Sequence, residues 1–366
     1  MIYLDFGATS FHKPKAVSLA MAEAVAKCAN PGRGGYSAAM RAQSTVYRCR
    51  ELAAKLFDCQ PEQVVFTSNC THGLNIAIRT LIKPGSRVVI SGFEHNAVTR
   101  PLYGLGAKIT VAGRRLFDWT NLLEEWEDAL RAGADAAVFT HVSNVFGYIL
   151  PVEQMAQLCS QYQVPFIVDA AQSAGTLPVS LAKWGASMIA MPGHKGLLGP
   201  QGTGILLCNC DPEPLLFGGT GSNSIQQKMP EYLPDALEAG TLNVPGIAGL
   251  CAGMQYLQKT GIRQIYSREH AQLLRSIRFL QAKGMRVFSG EHQAGTVSFV
   301  PKGDCEEFAH GLGQLGVAVR AGLHCAPLAH ESAGTLQTGT VRVSFGWDAS
   351  DQQTRAFLQS LEMMKM

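Results

Sequence analysis

The chain has 366 residues, 46% hydrophobic and 16% charged, which is enough apolar material for a large core plus a second, smaller domain without staples. A net charge of +3, dispersed along the chain, excludes the basic footprint of a nucleic-acid binder, and no apolar run is long enough to cross a bilayer. The start at Met1–Asp5 has neither a basic region nor an apolar stretch, so a soluble, cytoplasmic protein is expected.

In chain order, helices are predicted over Pro14–Ala29, Ser37–Phe57, Thr71–Ile82, Asn121–Leu130 and Val152–Tyr162. Short apolar runs lie between them at Val64–Phe66, Val88–Ile90, Ala136–Phe139, Phe166–Val168 and Met188–Ala190. Continuous apolar strands separated by helices imply an α/β fold whose mainly parallel sheet is covered on both faces, with ligands collecting beyond the strand C-termini. Helices over Pro245–Thr260 and Arg268–Lys283 follow. Strands at Met285–Phe288, Gly295–Val300, Val317–Arg320 and Val341–Phe345, with helices over Cys305–Leu315 and Ala349–Met363, then predict a smaller α/β domain. The expected division is 14–250 for the large domain, with 1–13 and 251–366 in the small one. Ten cysteines are scattered without C-x-x-C spacing, and Cys208 and Cys210 have no nearby histidine, so neither a zinc site nor a disulfide framework is expected.

Lys195, in Met191-Pro192-Gly193-His194-Lys195-Gly196, follows one strand, and Asp169 ends another one βα unit earlier. Pyridoxal phosphate (PLP) chemistry requires such a pair: the amine forms a Schiff base with the cofactor aldehyde, and the acid keeps the pyridine nitrogen protonated. Asp169 could instead cap a helix. Thr71 opens a helix after Val64–Thr67, where its hydroxyl and the first free amides can bind phosphate or simply cap the helix. His194 places a donor near the same phosphate, and the following glycine run carries no Gly-Lys-Ser/Thr, which excludes a Walker A loop. His95 could stack on the pyridine ring and move protons, or be an ordinary surface or core histidine. Asn144, on a further loop, could bond a substrate carboxylate or serve a turn.

These stretches together resemble the class V aminotransferase family of fold-type I PLP enzymes, and within it the cysteine desulfurases and selenocysteine lyases. The resemblance runs through Tyr3–Ser10, Asn30–Arg33, His141–Asn144, Val168–Gln172, Gly193–Lys195 and Glu238–Thr241, in order. It implies that Lys195 carries the cofactor, Asp169 pairs with the ring nitrogen, Gln172 bonds the ring oxygen, His95 stacks on the ring, and Thr71 and His194 bind phosphate. Thr241 would reach the phosphate of a neighbouring subunit, so a homodimer with a shared site is implied. Asn144 and Arg342, with Ala8 and Arg320, would contact the amino-acid substrate, Arg342 because its planar fork suits a carboxylate. Without the family, Arg342 could equally be a structural ion-pair partner.

Arg320-Ala321-Gly322-Leu323-His324-Cys325-Ala326-Pro327 resembles the group II desulfurase motif, which carries a persulfide-forming cysteine. A thiol beside His324 and near Arg320 is expected to be activated by them. The resemblance thus implies conversion of cysteine to alanine with sulfur transferred to Cys325 and then to an acceptor protein. Alternatives are a selenocysteine lyase, or a PLP-binding paralogue of weak activity with a partner-binding role. Phe6, Tyr36, His72, Pro192 and Leu323 depart from the usual pattern, and Pro192 removes both a hydroxyl and a backbone N–H from the phosphate site.

Overall fold

The computed structural model describes residues 1–32, 34–222 and 224–364. Arg33, the last residue of one family-like block, lies outside the described residues. The strands are β1 (Ile2–Tyr3), β2 (Val64–Thr67), β3 (Arg87–Ser91), β4 (Lys108–Ala112), β5 (Ala136–Thr140), β6 (Phe166–Asp169), β7 (Met188–Pro192), β8 (Gly204–Cys208), β9 (Arg286–Phe288), β10 (Thr296–Val300), β11 (Val317–Ala318), β12 (Arg320–Gly322) and β13 (Thr340–Ser344). The helices are α1 (Lys15–Lys27), α2 (Ser37–Phe57), α3 (Cys70–Leu81), α4 (Asn96–Gly104), α5 (Trp119–Arg131), α6 (Val152–Gln161), α7 (Leu181–Trp184), α8 (Val244–Thr260), α9 (Ile262–Ala282), α10 (Cys305–Gln314), α11 (Pro327–Ala333) and α12 (Asp351–Met363).

Seven strands form the central sheet in the order β2-β8-β7-β6-β5-β3-β4, with β8 antiparallel to both its neighbours and the rest parallel. Its strands are apolar without alternation because both faces are covered. Phe66, Val89, Phe139, Val168 and Ile189 enter one core, while Val65, Val88, Val138, Ile167 and Ala190 enter the other. The parallel strands therefore end together at one edge, where β2, β3, β5, β6 and β7 release the loops that carry the chemistry.

The smaller sheet, β12-β13-β10-β9, is antiparallel, and Val297, Phe299, Val341 and Val343 pack beneath α9 and α12 with Leu273, Leu280, Phe357 and Leu361. The single strand predicted over Val317–Arg320 is two pieces. Val317–Ala318 pairs with β1, and Arg320–Gly322 pairs with β13, so the chain changes partner at Val319. The α9 helix begins six residues earlier than Arg268, directly after the positive-φ residue Gly261. β4, α4 and α11 lie in segments given no predicted element. Among the described residues no helix is long and apolar enough to cross a membrane, and no group of three or more metal-ligating side chains occurs.

Candidate active site

Five loops converge on one cavity of about 110 Å³, lined by Thr71, His95, Asn144, Asp169, Gln172, His194 and Lys195. Pairing sets this convergence: Thr140 faces Asp169 across β5 and β6, and Asp169 faces Ala190 across β6 and β7. Asp169 is 3% exposed; its Oδ1 accepts from the Ala171 N–H at 2.9 Å and from the Cys70 thiol at 3.5 Å. It caps no helix. Burial raises its pKa, opposed by the Ala171 amide, the Lys195 charge and the Cys70 contact. Burial also draws the Lys195 ammonium below its usual value, and Asp169 pulls it back.

At the start of α3 the cap is Asn69, whose side chain accepts from the His72 N–H at 2.8 Å, rather than Thr71. The Thr71 hydroxyl is left facing the cavity beside the free amides of the first turn, the arrangement that holds an anion. His194 Nδ1 lies 3.0 Å from Thr9 Oγ1. Burial, then Lys195 and Lys13, bring its pKa down to about 4. His95 Nδ1 accepts from the Ala97 N–H at 3.0 Å, so the neutral ring carries its proton on Nε2. Burial, followed by Lys195, Arg100, Arg320 and Arg342, lowers this pKa to about 4. Behind it Glu94 is fully buried, receives the Thr140 N–H at 2.9 Å and touches the Ser91 hydroxyl. Gln172 donates to the Gly7 carbonyl at 2.9 Å, tying the N-terminal segment to the site.

Arg342, 1% exposed, donates to Asp5 Oδ1 at 2.5 Å and to the Asn144 carbonyl at 2.9 Å, while its Nε has no partner. The ion-pair alternative is thus realised with Asp5, and Arg342 lies outside the cavity lining, reaching it only through the Asn144 carbonyl. Arg320 sits opposite Arg342 across the β12–β13 pair and is exposed. Ala8 lies outside the cavity lining, with its N–H donating to the Asp5 carbonyl at 3.0 Å. Thr241 lies elsewhere, on a separate cleft with Asn30, Tyr47, Arg50 and Glu238, so one chain does not bring it to Lys195.

The loop after β12 holds Cys325 exposed, with His324 and Cys325 both left-handed at φ 50° and 57°. Two bonds fasten it over the cavity: the Asn96 N–H donates to the Cys325 carbonyl and Asn144 Nδ2 to the His324 carbonyl, each at 2.8 Å. His324 itself turns inward. It is buried, its Nε2 lies 3.2 Å from Thr340 Oγ1, and burial, then Arg342, push its pKa down to about 2. A neutral, inward ring brings no positive charge to the thiol, which corrects the expected activation by His324. The sequence assigned no role to Asp5, Thr9 or Glu94, each of which has a partner 46 to 337 residues away. The Glu94-His95-Asn96 triplet was the available signal for Glu94 alone.

The residues fit PLP. Asp169 Oδ2 receives no hydrogen bond from the described residues, so a buried acid in this cavity has room for a pyridinium N–H. The free start of α3, with Thr71 and His194, suits the phosphate.

The family model described as aminotransferase class V matches residues 2–357. A probable cysteine desulfurase from Methanothermobacter thermautotrophicus is 31% identical, over 99% of this chain and 94% of that protein. One from Pyrococcus abyssi is 32% identical over the same shares. The apo cysteine desulfurase structure from Thermococcus onnurineus superposes with a TM-score of 0.92 at 33% identity, covering 99% of this chain and 94% of that one. Family members are PLP enzymes. Agreement of sequence and backbone over this much of its length makes the chain a member of the class V aminotransferase family.

Proposed function

We propose that the protein is a PLP-dependent cysteine desulfurase that converts L-cysteine to L-alanine and transfers the sulfur to Cys325. The observation that carries this reading is that the loop bearing the exposed Cys325 is fastened by Asn96 and Asn144 to the cavity that holds Lys195 and Asp169. The family relatives named above support it.

Thr71, His194 and the first amides of α3 would hold the phosphate, Gln172 the ring oxygen, and Asp169 the ring nitrogen. Bound there through Lys195, PLP supplies an electron-withdrawing ring that acidifies the substrate's α-carbon. Lys195, freed when the substrate's amine takes its place on the cofactor and with its ammonium destabilised by burial, would take the α-proton. His95 would stack on the ring, and burial keeps it neutral through the physiological range. Asn144, Arg320 and Arg342 hold the substrate carboxylate, with Arg342 oriented by Asp5. The Cys325 thiolate forms a bond to the substrate sulfur as the carbon–sulfur bond breaks; the carbon skeleton leaves as alanine and Cys325 keeps a persulfide. A protein or small thiol then accepts that sulfur.

The same reading divides the chain into lobes of 14–250 and of 1–13 with 251–366, and makes the active unit a homodimer to which Thr241 contributes across the interface. The test is alanine release from L-cysteine and L-selenocysteine by wild type and Cys325→Ala, with mass spectrometry after borohydride reduction. The expected result is cofactor fixed on Lys195, and cysteine turnover and the added sulfur both lost in Cys325→Ala. Undiminished cysteine turnover in that variant would overturn the persulfide step, and selenocysteine-only activity would move the assignment to a lyase.

A further inference from the structure

A second cavity, of about 50 Å³, shares Gln172 and Lys195 with the lining of the cofactor site and is closed by Ile265, Glu269, Gly295, Phe345 and Trp347. It is too small for an amino acid and large enough for a few water-sized particles. Glu269, on α9, is 4% exposed and lines it without accepting a hydrogen bond from any described residue. Its Oε2 comes so close to the chain at 295 that a Cβ there would stand 2.9 Å away, so a larger residue at 295 would displace the carboxylate.

Of the side-chain donors on the wall, only Lys195 and the Thr296 hydroxyl make no hydrogen bond to a described residue, and Lys195 is the cofactor's attachment point in the proposed holoenzyme. Ser10 donates to the His194 carbonyl, Gln172 to Gly7, Thr176 to Gln172, and Trp347 to His12. Nearby Asp348 Oδ1 is also buried without a donor, while its Oδ2 is held by His12 at 2.9 Å. Neither Glu269 nor Asp348 Oδ1 is reached by a donor of the described residues, so an ionised Glu269 is balanced by a cation in the cavity. The aromatic rings of Phe6, Phe345 and Trp347 on the same wall suit a weakly hydrated cation. No group of three metal-ligating side chains occurs among the described residues, which disfavours a divalent transition metal.

We propose that this cavity is a binding site for one monovalent cation of potassium or ammonium size, with Glu269 as its anionic ligand. Occupied, it joins α9, the start of β10 and the 345–347 turn to the loop that carries Lys195. The groups facing Glu269 are Tyr266 on its own helix, Lys195 at the mouth, and Asp348 with His12 behind the wall. Burial, then Asp348, raise the Glu269 pKa to about 8, so below that pH an entering cation displaces a proton.

The experiment is isothermal titration of the PLP-saturated protein with potassium, ammonium and sodium chloride, against choline chloride at equal ionic strength, in buffers of different ionisation enthalpy. Expected is one site for potassium or ammonium, release of close to one proton at pH 7, and affinity about fivefold higher at pH 8 than at pH 7. Glu269→Gln should abolish binding, and Glu269→Asp should retain it weakened, with thermal melts showing that both variants fold. No heat beyond the choline control, as for a cavity holding only water, would overturn the proposal, as would undiminished binding in Glu269→Gln. The readout needs no turnover, so it stands or falls separately from the desulfurase reading.

Discussion

Glu94 shows how one buried side chain makes stability depend on pH. Burial raises its pKa to about 8, against 4.5 for an ordinary glutamate, with the Ser91 and Thr140 contacts opposing. The folded protein therefore keeps a proton that the unfolded chain loses, and this contribution is complete below pH 4.5 and lost as pH rises towards 8. Glu94→Gln, neutral at every pH, should remove that slope, so the variant gains on wild type by about 1 kcal/mol per pH unit in urea melts between pH 5 and 8. A constant offset across that range would show that Glu94 is ionised in the folded state. Lys195 and Asp169 were recognisable from sequence because each ends a strand or follows one. The partner of Arg342 was not, since Asp5 lies 337 residues away. Removing it with Asp5→Ala leaves a buried guanidinium uncompensated and should cost about 3 kcal/mol of unfolding free energy, measured by denaturant titration.

At the level of elements, the Cys325 loop is held in a conformation that non-glycine residues seldom adopt. Asn96 is the first residue of α4 and follows His95 in extended geometry, so Asn96→Pro fits the helix start while deleting the N–H that binds the Cys325 carbonyl. One hydrogen bond of about 1 kcal/mol predicts about a fivefold fall in kcat, with faster amide exchange in the loop and unchanged cofactor absorbance. Unaltered kcat would mean that the anchor does not position the thiol. The long amphipathic helices were legible because one stripe faces the core. α4 was not, because Pro101 interrupts it, nor was the break at Val319, because no glycine or proline separates the two halves and only their partners differ.

For the molecule as a whole, the cleft around Thr241 is lined by the exposed Tyr47 and by Gly219, and Tyr36 and Met40 earlier along the same segment as Tyr47, and Leu216 and Phe217 just before Gly219, are exposed as well. An apolar face of this kind is what a two-fold interface would cover. If Thr241 serves the neighbouring subunit, Thr241→Ala should sediment as a dimer yet lose PLP about tenfold faster on dialysis, the worth of one charge-assisted hydrogen bond. Retention equal to wild type would place Thr241 outside the phosphate site, and a monomeric wild type would remove the shared site altogether.

By itself the sequence determined the α/β class, the five strands of the sheet that carry the site and the loops from which the chemistry comes, because apolar periodicity and βα spacing are local properties. It also placed Lys195, Asp169 and Cys325 on those loops. Only the tertiary structure decided that His324 turns inward, that Asn69 and not Thr71 caps α3, that Arg342 is paired with Asp5, and that Glu269 is left without a donor. Each of these depends on which distant groups share a buried space, and the free energy of a buried polar atom is set by those neighbours rather than by the residues beside it in the chain.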